Sequence, residues 1–205
     1  MSQIALPLAA GPGAGASRIV AGTANAAAIE AMGRADTWPF RTALLCGPPR
    51  SGKSLLARWF VESGRGEAVD NADSMDEAAL FHRWNAAQEA RVPLLVVSNR
   101  APGAWAIALP DLKSRLGAAL HLEIGEPDDA MLAGLIALHA ELRGLPLDET
   151  AAAYLVPRCE RSHLGVERLV ATIDRLSLER KLPPTLGIWR DALEAIAGES
   201  QPRLL

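Results

Sequence analysis

The chain of 205 residues has only two cysteines, no long apolar run and no excess of positive charge. Cys46 and Cys159 lie far apart in the sequence, which favours a reducing, cytoplasmic setting over a disulfide framework. No stretch of 18 or more apolar residues occurs, so no transmembrane helix is predicted. Lys and Arg total 21 against 24 Asp and Glu, and this net charge of −3 argues against a large, sequence-independent DNA-binding face.

Residues 1–17 carry no charged side chain at all. An uncharged, partly apolar start is typical of a signal peptide, but no Lys or Arg precedes the apolar part here, and proline and glycine interrupt it. We therefore predict a flexible leader over residues 1–17, in which the Gly-Pro-Gly-Ala-Gly segment at 11–15 serves as a linker.

The most informative motif is Gly-Pro-Pro-Arg-Ser-Gly-Lys-Ser at 47–54, a complete G-x-x-x-x-G-K-[ST] phosphate-binding loop. It follows an apolar run at 43–46 and precedes a helix-like stretch at 55–61, which is the context that this motif requires. Gly47 and Gly52 let the backbone turn its N–H groups toward phosphate oxygens, while Lys53 adds positive charge and Ser54 a hydroxyl for Mg²⁺. The predicted nucleotide-binding positions are Gly47, Pro48, Pro49, Arg50, Ser51, Gly52, Lys53 and Ser54.

Hydrophobic periodicity and turn residues divide the chain into an α/β part and a helical part. Helices are predicted at 23–33, 54–62, 76–91 and 111–119, and strands at 41–46, 67–70, 92–98 and 120–124. Beyond Glu126 the strand patterns stop, and helices are predicted at 128–143, 148–158, 162–181 and 186–197. The sequence therefore predicts an α/β core over 18–125 with a parallel sheet, followed by an all-helical lid over 126–205.

Polar side chains follow two of the predicted strands. Asp70 lies where P-loop enzymes carry an acid that holds Mg²⁺, although an ordinary turn residue before a helix is the alternative. Asn71 stands where nucleotide-hydrolysing relatives carry an acid, and an amide cannot take up a proton. Asn99, in Ser-Asn-Arg at 98–100, lies at the sheet edge that faces ligands, where it either contacts the γ-phosphate or begins a solvated loop.

A short polar helix at 111–116, Asp-Leu-Lys-Ser-Arg-Leu, carries Arg115. An arginine that contacts the nucleotide of a neighbouring molecule stabilises the negative charge spread over a transferring phosphoryl group. The alternative is a surface arginine on an amphipathic helix.

Taken together, these segments resemble the AAA+ ATPases of the DnaA branch and, within it, the Hda-type regulators of replication initiation. The resemblance runs from the first residue to about residue 197. Its segments are the phosphate loop 47–54, Asp70-Asn71, Leu80-Phe81 with Asn85, residues 98–102, the box at 109–116, and 158–162 with 173–176 in the lid. The resemblance implies a P-loop AAA+ parallel sheet core, trimmed by one strand because Lys53 and Asp70 lie too close for the family's further strand and helix.

The resemblance also implies individual roles. Arg115 is the arginine finger, acting in trans, and Asn99 is sensor 1. Asn25 belongs to a segment, 20–25, that packs on the adenine, and Arg168 and Arg161 are both candidates for the sensor 2 arginine. The bound nucleotide is ADP or ATP, with Mg²⁺ held by Ser54 and Asp70. The leader resembles a sliding-clamp-binding peptide, whose contact residues are Gln3, Ile4, Leu6, Pro7 and Leu8.

The function implied is negative regulation of bacterial replication initiation. Such a protein binds the sliding clamp, the β subunit of DNA polymerase III, and promotes hydrolysis of ATP bound to DnaA, with weak or no ATPase activity of its own. It is cytoplasmic and associates with the nucleoid through the clamp. A homodimer is compatible with this function, and membrane binding is not expected. Direct sequence-specific DNA binding is not expected either, because no counterpart of DnaA's helix-turn-helix domain follows the lid.

Two alternatives remain open at this point. An autonomous AAA+ ATPase or loader would use its own site, but Asn71 disfavours it. A clamp adaptor with a vestigial nucleotide site would retain no nucleotide on purification. The resident nucleotide, the oligomeric state and the choice between DnaA and a paralogue as target are not determined by the sequence.

Overall fold

The computed structural model describes residues 5–6, 19–101 and 103–199, which form two compact units meeting at Gly125 and Glu126 in the sequence. Most of the predicted leader, including Gln3, Ile4, Pro7 and Leu8, lies outside the described residues, and Leu6 lies in the two-residue strand Ala5–Leu6. Among the described helices, none is both long and apolar enough to cross a membrane.

The first unit contains a four-stranded parallel sheet. Short strands β1 (Ala5–Leu6) and β2 (Ile19–Val20) are followed by the sheet strands β3 (Thr42–Cys46), β4 (Glu67–Val69), β5 (Leu94–Val97) and β6 (Leu120–Glu123). The strand order is β4-β5-β3-β6, with Leu44 opposite Val96 on one side and His121 on the other. Every residue of β3 and β5 is buried, as expected for central strands of a parallel sheet that is covered on both faces.

Four helices pack with this sheet: α1 (Thr23–Met32), α2 (Lys53–Glu62), α3 (Glu77–Ala90) and α4 (Pro110–Ala118). Short 3₁₀ turns occur at Ala35–Thr37, Pro39–Arg41 and Ala72–Ser74. The Asp76 carboxylate caps α3 by accepting the Ala79 N–H at 2.9 Å, and Pro110 begins α4, where its missing N–H and fixed φ are favourable. Since α2 leads directly into β4, no further strand and helix lie between the phosphate loop and Asp70, as the short spacing predicts.

Alternate residues of the central strands face two apolar clusters. Leu45 and Val97 belong to the cluster that contains Phe60, whereas Leu44 and Val96 belong to the one that contains Trp84. This division follows from strand geometry, because successive side chains point to opposite faces of a sheet. The α3 helix is thereby anchored to the sheet through its buried face.

The second unit consists of α5 (Asp129–Arg143), α6 (Glu149–Leu155), α7 (His163–Arg180) and α8 (Leu186–Glu199). Asp128, Asp148 and Ser162 cap α5, α6 and α7, each accepting a backbone N–H at 2.8–2.9 Å. Within this unit α7 packs against both α5 and α8. The predicted α/β fold with a helical C-terminal region is confirmed, with element ends shifted by a few residues; the largest shift is in α6, which ends at Leu155 rather than at Arg158.

The backbone is tightly packed at Gly66, just before β4. A methyl group added there would lie 2.2 Å from the Pro93 carbonyl oxygen and 2.8 Å from a ring carbon of Phe60. We predict that Gly66→Ala destabilises the protein by about 2–3 kcal/mol, since a backbone oxygen cannot move aside cheaply. Urea denaturation measures this change.

Gly117→Ala is the matched control, because its added methyl group meets no atom within 4 Å and lies in helix α4 of the same unit. This control should be neutral or stabilising by up to about 1 kcal/mol. Equal stabilities for the two variants would contradict the packing at Gly66.

Candidate nucleotide-binding site

The phosphate loop, residues 47–54, connects the carboxyl end of β3 to α2 and depends on two glycines. A Cβ at Gly47 would lie 2.9 Å from the Ile124 Cβ and 3.0 Å from its carbonyl oxygen, so no larger residue fits there. Gly52 has a φ of 85°, in the left-handed region that glycine adopts without strain. One glycine therefore permits a close approach to Ile124, and the other permits the turn into α2.

The start of α2 has the features of an anion site. Gly52 is the N-cap residue and supplies no side-chain hydrogen bond to the N–H groups of the first helical turn. These groups carry the positive end of the helix dipole. In the loop just before them, the Ser51 Oγ is buried and has no hydrogen-bond partner among the described residues. A phosphate group would satisfy both sets of donors, so the loop fits the nucleotide that the motif implies.

The Lys53 ammonium group lies across the phosphate loop. Only 6% of Lys53 is exposed, and its Nζ donates to the carbonyl oxygens of Gly47 at 2.9 Å and Pro48 at 2.8 Å. Burial lowers the pKa of Lys53, whereas the charges of Asp70, Cys46 and Asp73 act in the opposite direction. An ammonium group has three protons to donate, so a phosphate oxygen can take the third.

Ser54 and Asp70 are both exposed, and the Asp70 Oδ1 accepts the Asn71 N–H at 2.9 Å. A hydroxyl and a carboxylate suit Mg²⁺, which takes one or two protein oxygens together with water and phosphate oxygens. In the described part of the chain, no group of three or more His, Cys, Asp or Glu side chains could hold a metal. A Mg²⁺ ion at Ser54 and Asp70 would therefore depend on the nucleotide for the rest of its ligands.

The ends of β4 and β5 are joined by hydrogen bonds between polar side chains. Asn99 donates from Nδ2 to the Asn71 Oδ1 at 3.1 Å, and its backbone N–H donates to the Asp73 Oδ1 at 3.2 Å. The Asp73 side chain is only 5% exposed, and its Oδ2 lies 3.8 Å from the Arg100 Nε. No local sequence pattern singles out Asp73, which fixes the backbone of Asn99.

The site has donors for phosphate but lacks a carboxylate at the position that follows Asp70. The amide oxygen of Asn71 already accepts a hydrogen bond from Asn99, and an amide cannot take a proton from water. The position after Asp70 therefore supplies no general base to a nucleotide in the chain's own phosphate loop.

Asn25 is buried and shapes the turn between β2 and α1. Its Oδ1 accepts the Gly22 N–H at 2.9 Å, and its Nδ2 donates to the Val20 carbonyl at 3.0 Å. Both polar groups of the side chain thus bind the main chain of the same segment. Its contact with a nucleotide stays a prediction.

The two sensor 2 candidates belong to the helical unit. Arg161 donates from Nη1 to Asp129 at 2.6 Å and from Nη2 to the Pro127 carbonyl at 3.4 Å, and the hydrogen bond to Asp129 raises the pKa of Arg161. Arg168 is exposed on α7. Arg161 is thus already engaged within its own unit, and the sensor 2 role of either residue stays a prediction.

Arg115, on α4, is half-buried against α3. Its Cζ lies 4.1 Å from the centre of the Trp84 ring and 4.6 Å from that of Phe81. Its Nη1 donates to the Asn85 Oδ1 at 2.6 Å. The hydrogen bond and both ring contacts are therefore made with α3 rather than with the phosphate loop of the same chain.

No protein-family model matches the sequence. The structure is similar to domain III of the replication initiation protein DnaA from Thermotoga maritima, with a TM-score of 0.70 and 14% identity, covering 86% of this chain and 94% of that one. It is also similar to AMPPCP-bound DnaA from Aquifex aeolicus, with a TM-score of 0.61 and 17% identity, covering 80% of this chain and 66% of that one. A third similar structure is the Holliday junction branch migration motor RuvB of Thermotoga maritima, with a TM-score of 0.62 and 19% identity, covering 85% of this chain and 69% of that one. The chain therefore shares the fold of these DnaA and RuvB structures, a parallel sheet with helices and a C-terminal helical region.

Lys53 is the buried cation of the phosphate loop, so Lys53→Ala should weaken ATP and ADP binding by about 30-fold or more, the scale of a lost charge-assisted hydrogen bond. Isothermal titration calorimetry measures the change. Arg58→Ala removes the same charge from an exposed position on α2 and serves as the control. Unchanged affinity in the Lys53 variant would contradict the assignment of this site.

Proposed function

We propose that this chain is an Hda-type regulator that binds ADP or ATP in its own phosphate loop and promotes hydrolysis of ATP held by DnaA. The observation that carries the proposal is the setting of Arg115, which α3 holds through an amide and two aromatic rings. Among the described residues, no carboxylate forms an ion pair with this guanidinium, so its charge stays available for another molecule's nucleotide.

The chain's own nucleotide site supports a binding role. Lys53, Ser51 and the uncapped start of α2 supply donors for phosphate, but Asn71 cannot act as a base. In our proposal the resident nucleotide is structural, Mg²⁺ accompanies it at Ser54 and Asp70, and hydrolysis by this chain itself is weak or absent. An autonomous ATPase is thereby disfavoured.

An arginine acts in phosphoryl transfer by stabilising charge that develops on the phosphoryl oxygens in the transition state. The DnaA-bound nucleotide is the proposed target because residues 109–116 resemble the box that carries the arginine finger in the DnaA branch. Asn99 has the sensor 1 position in this scheme, and its contacts with Asn71 and Asp73 orient it at the end of β5.

We also propose, from its sequence alone, that the leader binds the sliding clamp. Gln3 would hydrogen-bond at the rim of a pocket on the sliding clamp, and Leu6 and Leu8 would fill the pocket, while Pro7 lowers the cost of ordering the peptide. The linker at 11–15 would let a clamp-bound chain reach DnaA near DNA. In our proposal the protein acts in the cytoplasm, at the nucleoid.

Clamp binding is expected to depend on the leader and not on the folded units. Leu6→Ala combined with Leu8→Ala should reduce binding to immobilised clamp by at least about 100-fold, since two buried leucines contribute about 1.5–3 kcal/mol each. The matched control is Leu204→Ala with Leu205→Ala, the same change near the other end of the chain. Surface plasmon resonance that shows equal affinities for both double variants would place the docking site elsewhere.

Arg115→Ala should retain the fold, nucleotide binding and clamp binding, yet lose stimulation of hydrolysis of labelled ATP pre-bound to DnaA, with clamp on DNA. The expected loss is on the order of 10³-fold, because the finger acts mainly in the transition state. Arg115→Lys should not restore the rate, since an ammonium lacks the planar fork of donors.

Lys113→Ala is the control for this experiment, because it removes a charge from an exposed position of the same helix. It should leave the rate within about threefold, as expected for a surface charge away from the reaction. Equal rates for wild type and Arg115→Ala would remove Arg115 from the mechanism.

A further inference from the structure

One face of α3 contacts the segment that carries Arg115. The contacting residues are spaced at helical intervals of one face: Glu77, Phe81, Trp84 and Asn85. Glu77 accepts the backbone N–H groups of Ala108 at 2.9 Å and Leu109 at 2.7 Å. Since α4 begins at the next residue, this carboxylate fixes the start of the helix on which Arg115 lies.

Further along the same face, three residues contact the guanidinium itself. Phe81 and Trp84 present their rings to Cζ, and Asn85 accepts a hydrogen bond from Nη1. We name Phe81, Trp84 and Asn85 the α3 cradle. Trp84 is 9% exposed and belongs to the core cluster, so the cradle is anchored in the apolar core of the unit.

All three members of the cradle are uncharged. An aromatic face attracts a cation and an amide oxygen accepts its N–H, and neither cancels its charge. A carboxylate at position 85 would hold the guanidinium as firmly but would pair with it. A guanidinium that is ordered but not ion-paired is what a transition state with growing negative charge requires.

We propose that the α3 cradle positions Arg115 for a nucleotide on a partner protein, and that Asn85 is a positioning residue for the finger. The inference rests on the proposed function, in which Arg115 acts in trans. It adds a specific requirement: the acceptor at position 85 must be neutral.

The first experiment needs no partner. The side-chain Nε–H signal of Arg115, assigned by its loss in Arg115→Lys, reports the order of the guanidinium in ¹⁵N relaxation. In the wild-type chain we expect an order parameter near the rigid value of about 0.85, falling below about 0.6 in Asn85→Ala. A mobile guanidinium in the wild type would overturn the cradle, whatever the outcome for the proposed function.

The second experiment measures hydrolysis of ATP pre-bound to DnaA, with clamp on DNA, as a function of the concentration of this protein. Asn85→Ala should lower the maximal rate roughly 10-fold, as expected when a catalytic group loses its orientation, with little change in the half-saturating concentration. Asn85→Asp, which is nearly isosteric, should keep Arg115 ordered and still lower the maximal rate by a similar factor. In an Arg115→Ala background, neither substitution at position 85 should reduce the rate further.

The outcomes separate the two claims. A wild-type rate in Arg115→Ala would overturn the proposed function and the cradle together. Loss of the rate in Arg115→Ala with full rates in both Asn85 variants would overturn the cradle alone. If the Asn85 substitutions lowered the maximal rate by the same factor in the wild-type and in the Arg115→Ala background, the role of Asn85 would be merely structural. This result would also overturn the cradle. If Asn85→Ala fails to fold, Asn85→Asp still carries the rate measurements in both backgrounds, and the order parameter of Arg115 in the wild-type chain still tests the cradle.

Discussion

The parallel alignment of β3, β4 and β5 is the constraint on which the rest of the structure depends. Because β3 and β5 are buried and covered on both faces, and β4 pairs with β5 in the same direction, the carboxyl ends of the three strands meet at one edge of the sheet. The phosphate loop, Asp70 and Asn99 follow these three strands and are brought to that edge. The pairing of apolar strands thus determines where the polar chemistry lies, as in other open α/β sheets.

The two cationic side chains Lys53 and Arg115 have different surroundings in this unit. At the sheet edge, the Lys53 ammonium donates to loop carbonyls while Asp70 and Asp73 partly offset the cost of its burial, and the base position is an amide. Along α3, the guanidinium of Arg115 is held by neutral groups. The first arrangement suits stable binding of a nucleotide, and the second suits stabilisation of charge on another one. This contrast is the physical basis of the proposal that the chain acts in trans.

Local signals were enough to predict the helices α1 to α8, the four strands of the parallel sheet and the phosphate loop, but not the short strands β1 and β2. Continuous apolar runs predict β3 and β5, and the spacing of Gly47, Gly52 and Lys53 predicts the loop, because these features depend on near neighbours in the sequence. The contacts of Asp73 with Asn99 and of Arg115 with Trp84 join residues far apart in the chain, so no local pattern shows them. The two consecutive positive φ values at Phe40 and Arg41 were likewise not predictable, since neither residue type favours that region.

The central claim is that Arg115 acts on the transition state of hydrolysis at a nucleotide bound to DnaA. The most direct measurement compares the affinity of this protein, with clamp on DNA, for DnaA carrying ADP and for DnaA carrying ADP with fluoroaluminate, an analogue of the transferring phosphoryl group. Because a finger binds the transition state better than the ground state, the analogue complex should be at least about 100-fold tighter, and Arg115→Ala should abolish the difference. Equal affinities of the wild-type protein for the two forms would contradict the account.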